Sequence, residues 1–129
     1  MNVDYVLSRW QTVRTGLLDT IDKFRADELD FTPFPGSRPV RHIMVHIAHE
    51  EYGEFAHGVI QTLSDFPAEY NLQDYPTPAA LKALLNAMHT PTLTYLRTLT
   101  DDDLNQVIDT PWGASYRVIE MIDHMIEHE

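Results

Sequence analysis

The stretch Pro39-Val40-Arg41-His42-Ile43-Met44-Val45-His46-Ile47-Ala48-His49-Glu50-Glu51 decides the fold. Val40, Ile43, Met44, Ile47 and Ala48 return at steps of three and four, and Phe55 continues the series. That spacing makes one side of a helix apolar and predicts a helix from about Val40 to Leu63. Ser37 is placed to cap it, with Pro39 near its first turn, where the missing N–H costs little.

Upstream, Pro33, Pro35, Gly36 and Pro39 forbid regular structure. Before them, Val3, Leu7, Trp10, Leu17, Ile21 and Phe24 form a second helical stripe, widened by Val6 and Val13. Downstream, Ser64 to Thr77 reads as a loop containing Pro67, Asn71 and Pro76. Thr77-Pro78 starts a third helix whose apolar side is Leu81, Leu84, Leu85, Met88, Tyr95, Leu96 and Leu99. Pro91 falls inside that pattern and is expected to kink it. Thr100 with Asp101, Asp102 and Asp103 reads as a capped turn, and Thr110 to Gly113 as a break. The last helix starts near Ser115 and carries Val118, Ile119, Met121, Ile122, Met125 and Ile126. No alternating run argues for a strand.

The pattern predicts an all-α, four-helix up-and-down bundle in a single domain, residues 1–129. The first three helices measure ~22 residues, or ~33 Å, and the last ~14 residues, or ~21 Å. The fourth helix reaches Glu129 with no glycine or proline stop, so it reads as truncated and the natural chain is expected to continue.

Composition narrows the function. The 129 residues include 20 acidic and nine basic side chains, a formal charge of −11. That balance argues against a partner with a phosphate backbone and against an anionic membrane surface. With 43% hydrophobic residues the chain is too apolar for a disordered acidic tail. No run approaches the ~18 apolar residues of a membrane span. The absence of cysteine removes disulfides, thiolate ligands and a cysteine nucleophile. A cytoplasmic protein is expected, and a homodimer on the general habits of compact bundles.

Seven histidines stand out. His124 and His128 are four residues apart, so both imidazoles leave one side of a helix a turn apart, a spacing that lets two ligands from one helix hold one metal ion. On the second helix, His42 and His49 point away from the apolar stripe and are expected to meet water, while His46 and His57 lie at its edge. Neutral nitrogen ligands suit Zn²⁺, Ni²⁺ or Fe²⁺. Glu51 falls near the centre of the apolar stripe, where an unpaired carboxylate is costly. It either pairs with a group such as Tyr5, Trp10, Arg14 or a backbone group at the bundle's end, or orients a ligand imidazole or acts as a general base. Tyr52, Tyr95 and Tyr116 are candidates to line a pocket.

The quoted segment resembles the start of helix two in the DinB-like family, whose pattern there is V-R-x-I-L-x-H-I-A with an acid following. Leu29 to Ser37 is similar to that family's first connection. Pro111-Trp112-Gly113 and Ile122-Asp123-His124-Met125-Ile126-Glu127-His128-Glu129 resemble the entry and body of its fourth helix. The resemblance implies a four-helix bundle with a three-histidine divalent-metal site. His46 would be the ligand on helix two and His128 the first on helix four. The family's third ligand lies four residues later, and His124 would substitute only if helix four rotates or frays. The implied function is a metal-dependent hydrolase or low-molecular-weight-thiol S-transferase acting on a small molecule. A non-catalytic bundle that binds a small molecule or forms a stress-related dimer is the alternative.

Overall fold

Asn2 opens the first helix: its side chain accepts a hydrogen bond from the Tyr5 amide at 2.7 Å, and α1 runs Val3–Ile21. The computed structural model describes residues 2–68 and 70–129. Helix α2, Val40–Tyr52, has no side-chain cap. Ser37 instead closes the turn before it, accepting from the Phe34 amide and donating to the Arg38 carbonyl, and Pro39 stands at the cap position. The first amides of α2 are satisfied by the connection itself, Val40 donating to the Phe31 carbonyl and Arg41 to that of Leu29. Thr77 caps α3, Pro78–Leu96, by accepting from the Ala80 amide, and the helix continues through the exposed Pro91.

The expected long second helix changes character after Tyr52. Residues Gly53–Val59 form a π-helical turn, with the Ile60 amide donating to the Phe55 carbonyl five residues back. Two glycines permit it. A Cβ on Gly53 would lie 2.1 Å from the Phe66 ring, and one on Gly58 would lie 2.5 Å from the Trp112 ring. The segment expected to contain no strand holds a small antiparallel hairpin, β1 Val107–Asp109 paired with β2 Ser115–Arg117. Gly113 makes its turn at φ +88°, a conformation that favours glycine. Helix α4, Val118–His128, follows directly and buries all six apolar residues of its expected stripe.

Side-chain pairs set the helix directions. Arg9 meets Asp123 and Arg14 meets Glu129, so α1 and α4 run together. Arg14 and Trp10 meet Glu51 and Phe55, so α1 and α2 run oppositely. The two core clusters show α2 and α3 running together: Val40 to Ala48 pack with Leu81 to Leu85, and Phe55 and Val59 share the other cluster with Leu96. The all-α four-helix bundle is therefore present. The alternation expected of an up-and-down chain holds for α1–α2 and α3–α4 and is broken between α2 and α3, where residues 60–77 carry the chain back. Hydrophobic periodicity carries no direction, which is why the sequence does not show this crossover. Among the described residues no helix is long and apolar enough to cross a membrane.

Candidate metal centre

His42, His46 and His49 follow one another at steps of four and three, so they share one side of α2. His49 is buried and His42 half-buried, contrary to the expectation that both meet water. The 60–77 connection folds over this second side: the His49 ring lies 5.2 Å from Phe66 and 5.6 Å, edge-on, from Tyr70. A pocket of about 120 Å³ remains, lined by His42, Val45, His46, His49, Tyr70 and Leu72.

His46 and His128 meet across α2 and α4 with ring centroids 5.1 Å apart. The His124 ring stacks on His128 at 5.9 Å, but His124 is exposed and its Nε2 lies 3.8 Å from the Glu54 carboxylate. Burial lowers the His46 pKa below the ordinary 6.5; Arg38, His128 and His42 act in the same sense, and the Glu50 carboxylate opposes them. The imidazole is thereby kept neutral and able to donate a lone pair. The Nδ1 atom of His128 is buried and has no hydrogen-bond partner among the described residues. The donor chemistry fits a borderline divalent ion: two imidazole rings meet, and that of His128 carries an orphaned ring nitrogen. The described residues gather no third His, Asp or Glu with them in a metal-holding group.

Glu51 is fully buried and pairs as the first of its two sequence readings expects. Its Oε1 accepts from Arg14 Nη2 at 2.6 Å, and its Oε2 accepts from His89 Nδ1 at 2.7 Å. Arg14 also donates to the Leu85 carbonyl and to Glu129, whose carboxylate takes the Trp10 indole N–H at 2.9 Å. This network ties α1, α2, α3 and the end of α4 together. With both oxygens occupied, Glu51 bonds to neither His46 nor His128. His89 is a member that the sequence reading missed, although it sits four residues after the buried Leu85 on the same stripe.

The profile of the DinB superfamily matches residues 9–129. The chain belongs to the DinB superfamily. It is 27% identical over 122 residues to the uncharacterized protein YizA of Bacillus subtilis, covering 93% of this chain and 74% of that protein. The fold is similar to a crystal structure of a DinB-like protein from Bacillus cereus, with TM-score 0.57, 18% identity, and 98% and 83% of the two chains covered. A conserved protein from Enterococcus faecalis gives TM-score 0.64 at 20% identity, covering 97% and 89%.

One further group faces the histidines of this DinB-superfamily bundle from the π turn. Glu54 is largely buried, accepts no hydrogen bond among the described residues, and has its pKa raised above the ordinary 4.5 by burial, with His124 opposing. Ionised Glu54 is thus disfavoured in the folded state: the penalty is absent well below the ordinary 4.5, where both states are protonated, and grows as the pH rises through and above it. Glu54→Gln is expected to raise stability at pH 7 in urea unfolding. The gain should shrink toward zero as the pH falls below that value.

Proposed function

We propose that this DinB-superfamily chain is a divalent-metal-dependent enzyme, a hydrolase or a low-molecular-weight-thiol S-transferase, acting on a small molecule. The observation that carries the reading is the convergence of His46 and His128 at 5.1 Å across α2 and α4. Those two imidazoles would hold a Zn²⁺, Ni²⁺ or Fe²⁺ ion, with further positions completed by another donor, water or substrate. His124, stacked beside His128, is a further imidazole next to the pair. Such an ion, when bound, lowers the pKa of a coordinated water or thiol and supplies a nucleophile at neutral pH.

The chain's own residues do the positioning. Glu50, 3.9 Å from His46 Nδ1, acts on that ring through its charge rather than through a hydrogen bond. The pocket of His42, Val45, His49, Tyr70 and Leu72 offers a small, partly apolar space on the other side of His46. The cysteine-free sequence agrees with an external thiol as the sulfur nucleophile. Glu51 is assigned to holding the bundle, since its lone pairs are directed at Arg14 and His89.

The reading is tested by stripping the protein with a chelator and reloading it with Zn²⁺, Ni²⁺ or Fe²⁺. Thiol transfer to a chlorinated arene and hydrolysis of an activated ester are then followed. Activity that is lost on stripping and returns with one of these ions is the expected result. Activity that survives stripping unchanged contradicts it. A non-catalytic small-molecule binder is favoured by the lack of a third ligand among the described residues, and it predicts binding without turnover in every metal state.

A further inference from the structure

The turn between β1 and β2 presents Trp112 over the π segment. Gly58 makes the approach possible, because any Cβ there would fall within 2.5 Å of the indole Cη2. Trp112 remains partly exposed, at 43%, between two hollows. One, of about 530 Å³, is lined by Glu54, Trp112, Tyr116, Glu120, Met121 and His124 among others. The other, of about 380 Å³, shares Glu54 and Trp112 and adds His57 and Phe66. Neither is lined by a lysine or arginine.

The two carboxylates of the larger cleft differ. Glu120 is already engaged: it accepts from the Arg117 backbone amide at 2.7 Å and lies 3.4 Å from its guanidinium. Glu54 is the one left over. Its side chain is only 15% exposed, and among the described residues its one potential cationic partner is His124 at 3.8 Å, while the Glu50 carboxylate acts against its charge. A carboxylate this far out of water, with no hydrogen bond from the described residues, is stabilised by an incoming cation. The exposed faces of Trp112 and Tyr116 beside it are the surfaces that attract an organic cation most strongly. An anion would meet Glu54 and Glu120 and be repelled.

We propose that the Trp112 cleft recognises the cationic end, a protonated amine or guanidinium, of a small organic molecule. The identity of that molecule as a substrate rests on the metal-enzyme reading: His124 lines the cleft and stacks on His128, so a molecule anchored at Glu54 extends toward the His46–His128 pair. Binding itself does not depend on that reading.

The test is calorimetric titration with phenethylammonium and with the anion 3-phenylpropionate, against wild type, Glu54→Gln, Gly58→Ala and His46→Ala. Wild type is expected to bind the ammonium ion and to bind the anion at least tenfold more weakly. Glu54→Gln, which keeps the side chain's shape, should weaken the ammonium ion by about tenfold or more, the value of a charge-assisted hydrogen bond. Gly58→Ala should weaken it by displacing Trp112, without loss of helical circular dichroism. His46→Ala should leave it unchanged, which separates this proposal from the metal reading. No binding of the ammonium ion, equal binding of the anion, or a Glu54→Gln variant that binds as wild type does would each overturn it.

Discussion

Arg14→Met is expected to destabilise the protein by about 3–5 kcal/mol, the cost of stranding a buried charge, as read by urea unfolding at neutral pH. Arg14 is 4% exposed, and its guanidinium is the shared partner of two carboxylates, Glu51 and Glu129, as well as of the Leu85 carbonyl. Methionine preserves much of the stem's packing but leaves both acids without their cation, each with a single remaining donor: His89 for Glu51 and the Trp10 indole for Glu129. Against the ~5–15 kcal/mol that holds a domain together, this is a large fraction. The double variant Arg14→Met with Glu51→Leu should lose less than the sum of the two single variants, because the carboxylate that Arg14 compensates is gone. A single Arg14→Met variant within ~1 kcal/mol of wild type would show that the network contributes little.

Replacing either bridging histidine is expected to have the second large effect, on metal affinity rather than on folding. His46→Ala or His128→Ala removes one of the two imidazoles that meet across α2 and α4. The loss should exceed the roughly 10–100-fold that follows from removing an outer hydrogen-bond partner of a metal ligand. Wild-type protein should gain about 2.7 kcal/mol of stability when the ion is at a hundred times its Kd, and the variants should gain much less at the same concentration. His124→Ala should change both readouts least, since that ring is exposed and turned toward Glu54.

The parts of the fold that the sequence displays are those that depend on local periodicity. The six apolar residues of α4 and the stripe of Val3, Val6, Trp10, Leu17 and Ile21 on α1 are buried as their spacing predicts. The caps of α1 and α3 are local too, whereas the start of α2 is closed by a connection folding back, and Ser37 does something else. The π turn depends on Phe66 and Trp112 arriving from distant segments to lie on Gly53 and Gly58, which no local pattern records. The strands are three residues each, too short for alternation to be visible. At the site, the pairing of His46 with His128 was legible through the family resemblance, and that of Glu51 with Arg14 through the cost of a lone buried acid. The burial of His49 and His89 was not, because a helical wheel shows which residues share a side and not which segment covers it.

The central claim is a divalent-metal site on His46 and His128. Calorimetric titration of the chelator-treated protein with Zn²⁺, Ni²⁺ and Fe²⁺ at neutral pH tests it most directly, with His46→Ala and His128→Ala alongside. One equivalent bound by wild type, and lost in both variants, is the predicted result. No stoichiometric binding of any of the three ions, or binding that persists when both histidines are replaced, would contradict it.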